Sequence, residues 1–334
     1  MPEFTKKALI TDYTWPSIDP EEKILEAAGI EVVAAPDSSE ETLRSLAVDV
    51  DAIMFCFAQV PASVLRAAEK CVVASRFGIG VDNIDQAVCT ELGIVVTNIP
   101  DYSLEEVADH VMANILAFNR HLIPLNESVR ATGWGTAGLP MHTRRLSTTT
   151  LGIVGMGRIG RTLTTRALAF GMRVLASDPL LTEENRPDGV EIATFERLLA
   201  ESDFVSLHTP LIPETTGLID RDALAAMKPT AFLINTTRGP VIDQEALYDA
   251  LKSGEIAGAA LDVVVPEPLP ADHPLLTLDN CLVMPHVASA TNDTRLKMAM
   301  MCVDNVLAGV AGKWPPFCVN RSAIEGRSRL EGKA

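Results

Sequence analysis

Residues 151–160 read LGIVGMGRIG, and RTLTTRALAF follows at 161–170. An apolar run that breaks into a glycine-rich turn and then into a helical pattern predicts a strand, a loop and a helix N-terminus. In that arrangement backbone N–H groups and the helix dipole hold a pyrophosphate. Gly155 permits the tight turn, Gly157 lets the phosphates approach, and Gly160 lets helix and strand pack closely, with Met156, Arg158 and Ile159 completing the dinucleotide loop. The next apolar run, RVLAS (173–177), ends at Asp178 and Pro179. That is about twenty residues past the glycines, where an acid bonds a ribose hydroxyl. A carboxylate there repels a 2′-phosphate and no arginine follows in DPLLTEEN (178–185), so the expected cofactor is NAD rather than NADP.

The same cycle extends in both directions. Downstream it continues through DFVSL (203–207), AFLIN (231–235), GAALDVV (258–264) and CLVMP (281–285); upstream, apolar runs recur at 8–10, 30–34, 52–57, 71–74 and 94–96. Short apolar runs alternating with helical segments predict an α/β protein: a Rossmann-type doubly wound parallel sheet after residue 150 and a five-stranded α/β unit before 101. Between them a long helix is expected from Ser103, as N-cap, to about Asn119, with Glu105 and Glu106 favourable to the dipole in its first turn. A last helix, about 293–310, is too short a remainder for a domain and is expected to pack back on the first unit. The domains are thus 1–101 with 290–321 for substrate and 102–289 for NAD, with crossings near 101 and 290. Residues 322–334, which begin with an IEGR-like protease site at 324–327, read as a vector-derived tail.

Composition removes several classes of partner. The 334 residues are 47% hydrophobic but only 5% aromatic, which suits strands covered on both faces. A formal charge of −16 repels phosphate backbones and anionic lipid, so neither nucleic acid nor a membrane is expected as a partner. No apolar stretch approaches the roughly 18 residues of a spanning helix, and MPEFTKK lacks a signal region; a cytoplasmic location is expected. The six cysteines are scattered without zinc-ligand or redox spacing, so neither metal nor disulfide is expected.

Three charged residues close three successive apolar runs: Arg238 after AFLIN, Glu267 after AALDVVV and His286 after CLVMP. The carboxyl ends of neighbouring parallel strands open onto one crevice. A cation to hold an anionic substrate, an imidazole to move a proton and a carboxylate to orient it are a complete catalytic set.

Taken with RFGIGVDNID (76–85), TNIPDYSLEEVADH (97–110), SLHTPLIPETTGLI (206–219), INTTRGPVID (234–243), GAALDVVVPEP (258–268) and PHVASAT (285–291), the chain resembles the D-isomer-specific 2-hydroxyacid dehydrogenases. That family includes glyoxylate and hydroxypyruvate reductases, phosphoglycerate dehydrogenase and the C-terminal-binding-protein corepressors. The resemblance implies a flavodoxin-like substrate domain. It also implies that Arg238 clamps the carboxylate of a 2-oxo acid, that His286 is the acid in reduction and base in oxidation, and that Glu267 fixes the imidazole tautomer, with hydride passing from nicotinamide to the substrate carbon. By the same resemblance Ile79 and Gly80 present N–H groups to the substrate carboxylate. His208, Thr209, Pro210 and Thr215 border the dinucleotide, and Thr236 and Asp262 lie at the nicotinamide. For His208 a capped, satisfied histidine at a strand end is the alternative.

Relatives acting on phosphorylated substrates tend to place arginines in the segment here reading MFCFAQV (54–60), where this chain has Phe55 and Phe57. With no cation there, a small or apolar, non-phosphorylated substrate is expected; phosphoglycerate dehydrogenase and an NAD-sensing corepressor are the alternatives. The glycine-rich segment 133–145 is expected in a homodimer interface, with Leu139 or Met141 near the partner's pocket.

Overall fold

The computed structural model describes residues 4–134 and 143–330; Leu139 and Met141 of the expected interface segment lie outside the described residues. The chain divides into two compact units, Met1–Tyr102 with Thr291–Ala334, and Ser103–Ala290.

The first unit runs β1 (Lys6–Ile10), α1 (Asp19–Ala27), β2 (Ile30–Ala34), α2 (Glu40–Ala47), β3 (Ala52–Phe55), α3 (Ala62–Ala67), β4 (Val73–Arg76), α4 (Gln86–Leu92) and β5 (Val95–Thr97). Its five strands are all parallel in the order β2-β1-β3-β4-β5. Strands β3, β4 and β5 are buried along their whole length. That follows from valine, isoleucine and alanine runs covered by helices on both faces.

The second unit begins with α5 (Leu104–Asn119) and α6 (Leu122–Thr132), then β6 (Thr150–Val154), α7 (Arg158–Ala169), β7 (Arg173–Ser177), β8 (Val190–Ile192), α8 (Phe195–Glu201), β9 (Phe204–Leu207), α9 (Arg221–Ala225), β10 (Phe232–Asn235), α10 (Gln244–Ser253), β11 (Gly258–Leu261) and β12 (Cys281–Val283). Seven parallel strands lie in the order β12-β11-β10-β9-β6-β7-β8. The expected sheet lacked β8, an edge strand of three residues whose middle residue, Glu191, pairs with Arg173 on β7. Its run is too short and too polar to register as a strand. Ser103 stands at the N-cap of α5, but its side chain makes no capping bond and its hydroxyl is buried without a partner among the described residues.

The chain returns to the first unit through α11 (Asn292–Val310) and α12 (Arg321–Ile324). Thr291 and Thr294 close a reciprocal cap at the start of α11. Residues 322–330, set apart from the fold in the sequence reading, are part of it. Ile324 and Leu330 are buried in the core, the Arg329 N–H donates to Gly93 O, and its guanidinium donates to the carbonyls of Ala68 and Cys71. Gly93 is the reason the chain can pass there: a Cβ would lie 2.6 Å from Arg327 O.

Candidate active site

Strand register aligns the candidate residues of the second unit. Val154 pairs with Ser177 and Leu207, Asn235 with Leu207 and Leu261, and Leu261 with Val283. The next residues, Asp178, Gly155, His208, Thr236 and Asp262, therefore leave the sheet at one level along its carboxyl edge, where open parallel sheets bind ligands.

The glycine turn has the expected shape. Gly155 has φ +95°, and a Cβ there would lie 2.7 Å from the His208 carbonyl group; at Gly160 a Cβ would meet Gly155 O at 2.5 Å. Beyond Gly157, by contrast, nothing lies within 4 Å of a Cβ position, and Gly157 caps α7 with no side-chain bond. The first turn of a twelve-residue helix thus offers unclaimed N–H donors toward open space. Asp178 accepts from the Met156 N–H (2.7 Å) and the Leu180 N–H (2.7 Å), which fixes its carboxylate beside the loop. Pro179 is exposed beyond it, as are Arg158 and, at the opposite lip, Pro210. Thr215 donates to Pro210 O and braces that lip.

Three buried polar atoms along this edge have no partner among the described residues: Thr209 Oγ1, Thr236 Oγ1 and His208 Nδ1. Unmet buried groups cost about 1–3 kcal/mol each, so their alignment with an open glycine turn and a ribose-level carboxylate fits a dinucleotide lying across the strand ends. His208 Nε2 is 2.9 Å from Ser206 Oγ, and burial pushes the imidazole down to about 4, which keeps it neutral.

His286 and Glu267 are paired. His286 Nδ1 lies 2.9 Å from Glu267 Oε2, while Glu267 Oε1 accepts from the Val264 N–H at 3.0 Å. Burial works to raise the Glu267 carboxyl, but the His286 hydrogen bond and charge, the Val264 N–H and the charge of Arg238 together hold it below the usual carboxylate range. An ionised carboxylate only accepts, so Nδ1 carries the proton.

His286 sits in the left-handed region, φ +54°, which a side chain adopts at a cost of about 1 kcal/mol. Asp262 holds it there. Its carbonyl accepts from the His286 N–H (2.9 Å), and its two carboxylate oxygens accept from the Val287 and Ala288 N–H groups (2.8 Å each). The expectation that Asp262 serves the nicotinamide is thus joined by a second task, one that already occupies both of its oxygens.

Arg238 is set by the turn that leaves β10. Asn235 Oδ1 accepts from the Thr237 N–H and hydroxyl, and Asn235 Nδ2 donates to Arg238 O. Gly239 lets this turn lie against Val264, since a Cβ would meet Val264 O at 2.3 Å. Gln244 bonds both backbone groups of Val265 and pins the far side of the Glu267 loop. Sequence reading missed Asn235, which lies inside the INTTRGPVID motif, and Gln244, which follows it directly.

In the first unit, the expectation for Phe55 fails. It is fully enclosed in the core and packs rather than binds. Phe57 is 39% exposed. The segment is also not without a cation, as the sequence reading supposed: Arg76, from the adjoining strand β4, lies against both rings. The N–H groups of Ile79 and Gly80 donate to no acceptor among the described residues.

Residues 112–288 match the family model of the D-isomer specific 2-hydroxyacid dehydrogenase NAD binding domain. The chain belongs to this family. It is 43% identical over 297 residues to a glyoxylate reductase of Korarchaeum cryptofilum, covering 88% of this chain and 89% of that one. It is 37% identical over 324 residues to a D-3-phosphoglycerate dehydrogenase of Methanocaldococcus jannaschii, covering 95% of this chain but 60% of that one. A structure of D-lactate dehydrogenase from Aquifex aeolicus with NAD and lactic acid superposes with a TM-score of 0.83 at 28% identity, over 97% of this chain and 99% of that one. As a 2-hydroxyacid dehydrogenase it is an NAD-dependent oxidoreductase, and the glycine turn, Asp178 and α7 lie within its NAD-binding domain. Among the described residues no cluster could hold a metal ion, and no helix is long and apolar enough to cross a membrane.

Proposed function

We propose that the chain reduces a small, non-phosphorylated 2-oxo acid, glyoxylate or hydroxypyruvate, to the corresponding 2-hydroxy acid, in the D form where carbon 2 is a stereocentre, with Arg238, Glu267 and His286 as the catalytic residues. The observation that carries this is the His286–Glu267 pair, in which the carboxylate fixes the proton on Nδ1, with the charge of Arg238 reaching Glu267. The likeness to glyoxylate reductases at about 40% identity, over most of both chains, supports the substrate class. The bare presence of phenylalanines does not, because Arg76 adjoins them.

When bound, NADH supplies hydride to the substrate's 2-carbon. Arg238 holds the substrate carboxylate and polarises the 2-oxo group through its fork of donors. His286 Nε2 donates the proton that the developing alkoxide takes up, and Glu267 stabilises the imidazolium before that transfer. In oxidation the same nitrogen takes the proton back. Gly155 to Gly160, Asp178, Thr209 and Thr236 hold the dinucleotide, with His208 bordering it as a neutral group. Ile79 and Gly80 take part in holding the substrate carboxylate.

Arg238→Ala and His286→Ala test these assignments. Each should abolish reduction while NADH affinity, read by fluorescence, stays near that of the unaltered enzyme; retained turnover in either variant would refute them.

The enzyme is further proposed to work as a cytoplasmic homodimer. The apolar side chains of Leu122, Ile123 and Val129 on α6, and Trp134 just beyond it at 88% exposed, support a self-association face. A monomer by light scattering at micromolar concentration would contradict the dimer.

A further inference from the structure

Arg76 ends β4 and is only 5% exposed. Its guanidinium carbon lies 5.8 Å from the Phe55 ring centre and 5.7 Å from that of Phe57. Nε donates to Gly80 O at 3.1 Å and Nη1 to Phe77 O at 2.8 Å. Among the described residues it forms no ion pair. A cation taken out of water without a counter-charge costs several kcal/mol, and two carbonyls and two ring faces return only part of that.

The turn it grips is held from the other side as well. Gly78 O accepts from the Ile99 N–H at 3.0 Å, and Ile79 O accepts from Asn98 Nδ2 at 2.7 Å. In a trans peptide the carbonyl and the following N–H point in opposite directions. The Ile79 and Gly80 N–H groups are therefore both turned away from Ile99 and Asn98, and neither has an acceptor among the described residues. Gly78 makes room for the clamp: a Cβ there would lie 3.3 Å from Arg76 Nη1.

We propose that Arg76 is the positioning residue of a carboxylate-binding turn. Its fork locks the Phe77 and Gly80 carbonyls so that the two free N–H groups converge, and its uncompensated charge raises the affinity of that turn for the substrate carboxylate. The inference rests on the 2-oxo acid reading of the preceding section and adds a residue that sequence reasoning had not singled out.

Arg76→Met, Arg76→Lys and Asn98→Ala in the full chain test it, with glyoxylate turnover and with calorimetric titration of the NADH-loaded protein by oxamate, a carboxylate that is not reduced. Arg76→Met should raise the KM for glyoxylate and the oxamate Kd by about tenfold, with kcat within about threefold and NADH affinity unchanged. Lysine keeps the charge and one of the two bonds, and should restore part of the loss. Should the methionine variant fail to fold, Asn98→Ala, which keeps Arg76 but frees the Ile79 carbonyl, should raise KM in the same sense. A folded Arg76→Met protein that binds oxamate as tightly as the unaltered chain overturns the proposal. An unaltered chain that binds oxamate in an Arg76-dependent way, yet turns over no 2-oxo acid, would sink the functional reading and leave this inference standing.

Discussion

The carboxylate of Asp262 accepts from the two backbone N–H groups that follow His286, at 2.8 Å each, while the Asp262 carbonyl accepts from His286 itself. One residue at the end of β11 thus fixes the unusual left-handed backbone of the residue that closes the β12 segment. The imidazole is aimed by the backbone on one side and by Glu267 on the other.

Removing that anchor is expected to be costly. Asp262 is 1% exposed, so Asp262→Ala leaves two N–H donors without an acceptor. Each unmet donor costs about 1–3 kcal/mol. The variant should unfold at lower denaturant concentration and lose most of its kcat, because the strained turn at His286 relaxes. An unchanged denaturation midpoint with full kcat would refute the anchoring role.

Glu267→Gln keeps the shape of the side chain and removes its charge. The imidazolium then loses its counter-ion, and kcat/KM for reduction should fall about a hundredfold. Stability adds a signature with a definite sign. The Glu267 carboxyl is held below its ordinary range in the folded chain, so its contribution is present above the ordinary carboxylate pKa and is lost as pH falls through the lowered folded value. The stability advantage of the unaltered chain over Glu267→Gln should therefore shrink on acidification, as measured by denaturation at a series of pH values; an advantage that grows toward acid would contradict the pairing.

His208 gives an acid-range test of the strand edge. Burial lowers its imidazole from the ordinary 6.5 to about 4. Its stabilising contribution is present above 6.5 and is lost as pH falls toward 4. His208→Asn should lack that part of the acid loss. Parallel stability curves for the two proteins across this window would rule out a buried neutral histidine.

How far the sequence could be read depended on how each residue does its work. Gly155, Asp178 and His286 stand directly after apolar runs, and Arg238 and Glu267 within three residues of one, so strand period and parallel-sheet geometry point them toward one edge. β8 escaped because three residues with a charged centre carry no periodicity. Ile324 and Leu330 escaped because a protease-site pattern outweighed two isolated apolar residues that turn out to be buried. Phe55 is the last residue of β3 and is turned into the core, whereas Phe57 lies in the bend beyond the strand, where the alternation that would put both on one face no longer holds. Arg76 was invisible as their neighbour, since β3 and β4 are brought side by side only by the sheet, where Phe55 pairs with Arg76. Asn235 and Gln244 act through turn carbonyls and amides, which no side-chain pattern announces.

The central claim is tested most directly by the initial rate of NADH oxidation with glyoxylate, hydroxypyruvate, pyruvate, phenylpyruvate and phosphohydroxypyruvate, repeated with NADPH. The account predicts turnover of glyoxylate or hydroxypyruvate above the others, a D-configured product from hydroxypyruvate, and a preference for NADH set by the Asp178 carboxylate. Best turnover with phosphohydroxypyruvate, or none with any 2-oxo acid while NADH still binds, would contradict it.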